Sequence, residues 1–457
     1  MEDTLIFVEK ALELISQRRF SALKEYVSEK EPADIAEIFE ELEPEQAVIL
    51  FRLLPKETAA EAFVEMDSEE QIDLIKKFSD RELSAVFSEM FFDDIADIVE
   101  EMPASIVRRI LNTVSPDMRK TVNELLQYPE DSAGSIMTTE FVGLKKDITV
   151  LDALNHIRRV AIDKETIYTC YVIAKDRHLL GYVTAKKLLT SPLDAVVGDI
   201  MDENVVSVTT TEDQEEVALL MGRYDYLAMP VVDSEGRLVG IITVDDVIDV
   251  IHEETDEDLA KMSAVTPVDT TYLKTNVFTI FKSRIPWLMI LMVSATFTGM
   301  IISKFEHALA AQVVLTAFIP MLMDSGGNSG SQSSVTIIRG LSLGELEFRD
   351  IFKVLWKEVR VASLCALCLG LATFVKILLV DKLLLGNSDI SLMISAVVSL
   401  TLFVTVLVAK LIGCSLPLLA KKMGFDPAVM ASPFITTIVD AISLMVYFAF
   451  ATTILKL

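Results

Sequence analysis

From residue 285 to its end the chain is dominated by apolar runs of about twenty residues, and no such run precedes them. A helix needs roughly 20 residues to cross a hydrocarbon core of about 30 Å, so this feature divides the chain into a water-facing part and a membrane part. Five spans are expected: 285–303, 308–338 with a polar interruption, 359–380, 390–419 and 433–455. Charge divides at nearly the same place. Residues 1–270 carry 26 basic and 58 acidic side chains, a net of −32, whereas residues 271–457 carry 15 and 10, a net of +5, within a whole-chain charge of −27. So acidic a body repels phosphate backbones, which excludes nucleic acid as a partner and makes cations the natural one. The opening MEDTLIFVEKALELISQRRF spaces its charges as a helix does and has no apolar targeting core, so the amino terminus is expected in the cytoplasm. Basic residues crowd the flanks that would then lie inside, among them Arg339, Arg349, Lys353, Lys357, Arg360, Lys421 and Lys422. An odd number of spans leaves the carboxyl terminus outside a multi-pass protein of the cell membrane. Three of the four cysteines, Cys365, Cys368 and Cys414, sit in apolar runs and read as packing residues rather than a disulfide framework.

The water-facing part reads as two modules. Over residues 1–130, short amphipathic helices are punctuated by Pro32, Pro44, Pro55, Pro103 and Pro116, and DIAEIFEELEP at 34–44 recurs as DIADIVEEMP at 94–103. Such repetition predicts a superhelical stack of short helices. Residues 131–250 hold a second duplication: GSIMTTEFVGL followed by TCYVIAKDRHLLGYVTAKKLL parallels GDIMDENVVSV followed by LAMPVVDSEGRLVGIITVDDVIDV. This α/β pattern resembles a tandem pair of cystathionine β-synthase (CBS) domains, which implies adenine-nucleotide binding, with ATP or a relative held between repeats. In such modules an Asp shortly after the Thr of the last strand holds the ribose. Thr243 and Asp246 fit that role, whereas Thr184 is followed by Lys187, so one of the two sites is expected to be impaired.

A charged segment, 251–280, joins these modules to the membrane. Asp245, Asp246, Asp249, Glu253, Glu254, Asp256, Glu257 and Asp258 crowd its approach, with only Lys261 placed to pair at helical spacing. The stretch is either an acidic linker or a divalent-cation site. The second reading explains why mutually repelling carboxylates are gathered there.

In the membrane part, 281–457, the second run contains PMLMDSGGNSGSQSSVTIIRG. It places Asp324, Asn328 and Gln332 in apolar surroundings where they cannot face lipid. Gly326, Gly327 and Gly330 permit either close helix packing or an opened backbone. The last run carries one carboxylate, Asp440, near its middle, preceded by Ser432, Pro433 and Thr436. Oxygen donors without nearby His or Cys suit Mg²⁺ or Ca²⁺. No phosphate-binding GxxxxGK[ST] loop or Ser/His/Asp arrangement occurs, and His156, His178, His252 and His307 are scattered, so no catalytic site is expected.

A helical amino-terminal module, paired CBS repeats, an acidic connecting helix and five spans carrying GGNSGSQ and TTIVD together resemble the MgtE family of magnesium transporters and channels. The resemblance covers essentially the whole chain. It implies an all-α membrane domain of five spans beneath cytosolic helical and CBS modules, a homodimer in the lipid bilayer, and Mg²⁺ as the transported and regulating ion. By motif, its pore aspartate falls on Asp440, and its cytosolic Mg²⁺ sensors fall on Asp93, Asp97, Asp225, Asp246, Asp249, Glu254, Glu257, Asp258 and Asp426. Two departures stand out: Ser432 occupies a position where some relatives have Asn, and Lys410 lies within the fourth span. Lys410 is expected to snorkel or to pair with a carboxylate rather than to conduct. The implied function is a Mg²⁺-selective path gated shut by cytosolic Mg²⁺. The alternatives are an ion-coupled divalent-cation transporter and a membrane-anchored nucleotide sensor or scaffold.

Overall fold

The computed structural model describes residues 2–268, 272–430 and 432–456; the side chains of residues 2–6 and of Ser432 lie outside that description. The chain divides into two compact units, Met1–Ile251 and His252–Leu457.

The first unit opens with helices of mostly eight to ten residues. Prolines start rather than break them: Pro32, Pro44 and Pro116 stand in the first turns of Pro32–Glu40, Pro44–Leu53 and Pro116–Leu125, where a missing N–H is harmless. Ser79 and Glu82 close a capping box on Asp80–Phe87. Helices this short are not stable alone, so each packs on the helix two further along: Pro32–Glu40 on Lys56–Val64, Lys56–Val64 on Asp80–Phe87, and Asp80–Phe87 on Ala104–Thr113. This is the superhelical stack expected from the repeats. A row of buried rings, Phe39, Phe51, Phe63, Phe78 and Phe87, runs through it at centroid spacings of 4.7–6.2 Å. The duplicated DIA motifs occupy Pro32–Glu40 and Phe92–Glu101 and bury equivalent residues, Ile35, Ala36 and Ile38 against Ile95, Ala96 and Ile98.

Two three-stranded sheets follow. β1 (Gly143–Lys145) runs parallel to β2 (Thr169–Ile173), which pairs antiparallel with β3 (Leu179–Thr184). β4 (Val208–Thr209), β5 (Ala228–Val232) and β6 (Leu238–Thr243) repeat this order, down to a register shift at the same place in β2 and β5. The segments that lead each repeat cross over: Thr138 pairs with Ile241 beside β6, and Asp202 with Tyr182 of β3. Tyr171 Oη also donates to the Ala228 carbonyl at 3.0 Å, tying the sheets together. The α/β duplication is therefore one interlocked pair.

From β6 the chain enters one continuous helix, Val244–Met262, the connecting helix. It stops at Met262, short of the expected 280, and Asn276 caps the next helix, Val277–Lys304. The second unit then holds Ile319–Ser342 (the polar helix), Ile351–Lys376 with a π-helical continuation to Leu384, Leu392–Lys422 and Ser432–Leu455 (the aspartate helix). Among the described residues, four helical segments are long and apolar enough to cross a membrane: Val277–Lys304, Phe348–Leu384, Leu392–Lys422 and Pro427–Leu455. The expected fifth span is not among them. Its run from 308 is broken at Gln312 into Glu306–Ala311, a 3₁₀ stretch Val313–Phe318, and the polar helix, where Asp324, Asn328, Gln332 and several serines and glycines dilute the apolar content. The polar helix nevertheless packs between Leu392–Lys422 and the aspartate helix.

Candidate ion path and cation-sensing surfaces

The glycines of the polar helix act through close packing, since the helix is unbroken from Ile319 to Ser342. A Cβ on Gly327 would lie 2.9 Å from Thr436 Cγ2, and one on Gly413 of the neighbouring helix would overlap the Gly330 carbonyl. This packing consumes one face of the helix, burying Gly326, Gly330, Ser333 and Ile337. Asp324, Asn328 and Gln332, spaced four apart, remain exposed on the other face. Asn328 Nδ2 donates to Asp324 Oδ1 at 3.1 Å. The aspartate helix contributes Asp440, half-buried and near enough to Asp324 for the two charges to interact. Pro433 lies in that helix's first turn, where a missing N–H is harmless. Thr436 and Thr437 each donate to the Pro433 carbonyl at 3.0 Å, leaving the Thr436 oxygen free to accept. Ser432 lies outside the described side chains.

In the first unit, carboxylates from separate elements converge. Asp93 is 6% exposed on Phe92–Glu101. Burial, then the charges of Asp94, Asp246 and Glu165, pushes its carboxyl well above the usual range. Burial followed by repulsion from Asp246 raises Asp94 to about 7 and Glu165 to about 8. Burial also raises Asp246, against the opposing effect of the Thr243 hydroxyl. Asp93 Oδ1 and Glu165 Oε2 are buried with no hydrogen-bond partner. Asp97 and Asp249 lie on exposed faces nearby in sequence, and Asp225 ends Gln214–Tyr224 in a left-handed conformation. Among the described residues no three His, Cys, Asp or Glu side chains are arranged to hold a metal ion. Sequence reasoning missed Asp94, Glu140 and Glu165. Asp94 adjoins a residue that was singled out, but only tertiary packing brings Glu165 and Glu140 there, the latter accepting from Phe92 N at 3.1 Å.

In the second unit, the end of the connecting helix docks on its neighbours. Ser342 donates to Asp258 Oδ2 at 2.8 Å. Lys261 Nζ lies 2.5 Å from Glu257 Oε1 and 2.7 Å from Asp426 Oδ2. Met262 packs against Ile338 and Ala428. Glu254 is half-buried one turn earlier. Burial, opposed by the Ser342 hydroxyl, raises the Asp258 carboxyl. Glu257, Asp258 and Asp426 are thus brought together, with an ammonium among them.

In the CBS pair, Thr184 caps Ala185–Thr190 by accepting from Lys187 N at 3.2 Å, and the Thr243 hydroxyl donates to the Asp246 carboxylate, which also accepts from Thr243 N. The two sites thus use the threonine differently, as an acceptor at Thr184 and as a donor at Thr243, and they differ in charge, Lys187 against Asp246.

Comparison with known proteins follows these boundaries. Residues 319–450 match the MgtE family model, described as a divalent cation transporter; residues 30–131 match the MgtE intracellular N domain, and residues 133–194 and 197–253 each match the CBS domain. The chain is 36% identical to the magnesium transporter MgtE of Thermus thermophilus over 95% of each chain. It is 33% identical to that of Bacillus subtilis over 99% of each. Among solved structures it resembles the cytosolic domain of the Mg²⁺ channel MgtE in complex with ATP, at 39% identity and a TM-score of 0.50, covering 54% of this chain and 99% of that one.

Proposed function

The chain belongs to the MgtE family of magnesium transporters, and from that premise we propose that it passes Mg²⁺ through a pore at the interface of a homodimer, closed when cytosolic Mg²⁺ binds. The observation that carries this reading is the exposed stripe Asp324, Asn328 and Gln332 on a helix packed among membrane-spanning ones. Lipid cannot cover such a stripe. A second copy and a water-filled path between the copies can. In this reading the polar helix is a fifth crossing, the carboxyl terminus lies outside, and paired Asp440 carboxylates face each other across the path, with Thr436 and Ser432 one and two turns towards the cytosol. Mg²⁺ dehydrates reluctantly. Two carboxylates and a ring of hydroxyl and amide oxygens hold it through its waters, so selection rests on the size of the hydrated ion.

Closure follows from charge. Residues 1–130 and 131–250 form the acidic sensing body, and residues 251–280 the link to the pore. Burial and mutual repulsion raise the carboxyls of Asp93, Asp94, Glu165 and Asp246, so their ionised forms call for counterions. Divalent cations between these groups and Asp97, Asp225, Asp249 and Glu254 of either copy favour a compact state. In that state Glu257, Asp258 and Asp426 hold the connecting helix against the pore helices. The CBS pair binds ATP or a related adenine nucleotide at the site carrying Thr243 and Asp246, consistent with the ATP complex of the related cytosolic domain.

The test is Mg²⁺ flux into proteoliposomes. Asp440→Ala is expected to lose selective Mg²⁺ flux while eluting as the same oligomer as the parent. Undiminished, Mg²⁺-selective flux through folded Asp440→Ala would overturn the assignment.

A further inference from the structure

Lys410 stands beyond the middle of Leu392–Lys422 and is only 5% exposed, so it does not snorkel to water. Its ammonium donates to Ser333 Oγ at 3.4 Å, and Ser333 donates in turn to Glu358 Oε2 at 2.9 Å. Three helices each supply one member: Leu392–Lys422, the polar helix and Ile351–Lys376. Ser333 lies on the buried face of the polar helix, one turn beyond Gly330, whose carbonyl a Cβ on Gly413 would overlap. Asp324, Asn328 and Gln332 occupy the opposite face. An opposed pair of charges therefore sits directly behind the polar stripe. Cys414, one turn beyond Lys410, feels both of them.

Packing alone does not call for this arrangement. A buried ammonium is expensive at membrane depth unless its charge is met, and an apolar side chain of similar volume would fill the same space. What a fixed charge supplies is a field. At an effective dielectric constant of about 20, a unit charge one helix diameter away, about 10 Å, changes the occupancy of a divalent ion by roughly two orders of magnitude. Two opposite charges bridged by one hydroxyl largely cancel, leaving a finely set residue.

We propose that Lys410 and Glu358, joined through Ser333, are a charge-balancing pair that sets how strongly the path attracts divalent cations. Neither residue touches the ion; each acts on it through the field, so removing one must shift ion affinity in the direction of the charge left behind. This rests on the reading that the polar stripe and Asp440 line the path.

The experiment uses the full chain in proteoliposomes with an enclosed Mg²⁺-sensitive dye. The half-saturating external Mg²⁺ concentration is measured for protein that elutes as a single species. Lys410→Met leaves a carboxylate behind the stripe and is expected to lower that concentration at least threefold. Glu358→Gln leaves an ammonium and should raise it at least threefold. Lys410→Met/Glu358→Gln and Lys410→Arg, both balanced in charge, should lie within about twofold of the parent. A purely structural bridge would instead shift both single variants the same way, and that result overturns the proposal, as does no shift in either. If one single variant does not fold, the other is compared with the double variant: a threefold difference in the stated direction supports the proposal, and equality overturns it. Asp440→Ala in the same vesicles separates the two readings. Persistent selective flux there removes the assigned path and this inference with it, whereas silent Lys410 and Glu358 variants beside an inactive Asp440→Ala overturn only the charge pair.

Discussion

At the scale of single residues, the carboxyls of Asp94 and Glu165, raised to about 7 and about 8, tie stability to pH. Their folded values lie above the ordinary carboxylate range near 4, so between about pH 4 and pH 8 the folded chain binds more protons than the unfolded one. Stability from this cluster is therefore complete below that window and declines as pH rises through it. With divalent ions chelated, thermal unfolding of the first unit is expected at a lower temperature at pH 8 than at pH 6, and the slope should flatten in Asp94→Asn/Glu165→Gln. Unfolding that is insensitive to pH in the parent would mean the carboxylates do not repel as described. Glu82 is the contrasting case: the Arg52 guanidinium, with Ser79, holds it down to about 2, so its contribution is lost only in strong acid, outside that window. Single glycines differ as clearly. Nothing lies near a Cβ on Gly299, whereas one on Gly413 meets backbone. Gly413→Ala should destabilise the detergent-solubilised protein by about 1–3 kcal/mol through overpacking, and Gly299→Ala should be neutral or slightly stabilising. Equal melting temperatures for the two variants would remove the close helix approach from the description.

At the scale of elements, the connecting helix gathers the most chemistry. Its end is held by Asp258 on Ser342 and by Lys261 between Glu257 and Asp426. Partly exposed ion pairs are worth about 0.2–1 kcal/mol each. Lys261→Gln should therefore speed amide exchange over the helix's last turns a few-fold in the ion-free protein without unfolding it, as hydrogen-exchange mass spectrometry would show. Exchange unchanged from the parent would mean this docking does not hold the helix. The helix itself could be read from the chain, because its charges continue unbroken from the last CBS strand. So could the two duplications, each a local pattern of spacing. The polar helix was harder: its polar residues were recognisable, but which of its faces packs depends on neighbours contributing Gly413 and Thr436. The partner of Lys410 and the arrival of Glu165 beside Asp93 likewise arise from contacts between segments far apart in sequence, where no local period records them.

At the scale of the whole molecule, 58 acidic against 26 basic side chains in residues 1–270 feed a membrane region of opposite sign. A ligand that binds the compact state better than the open one shifts the balance by its differential affinity and no more. Moving a gate from about 1:99 to 99:1 needs roughly 5.5 kcal/mol, beyond what one half-exposed carboxylate pair supplies, so the closure proposed above would have to draw on several sites and be steep in Mg²⁺. Single substitutions among Asp246, Asp249, Glu254, Glu257 and Asp258 should shift the midpoint without abolishing it. The most direct measurement is single-channel recording from the reconstituted protein across a series of cytosolic Mg²⁺ concentrations, comparing the parent with the variant in which all five are neutralised. The parent is expected to close steeply as cytosolic Mg²⁺ rises while the fivefold variant stays insensitive; an unaltered Mg²⁺ response in that variant would contradict gating through these acidic surfaces.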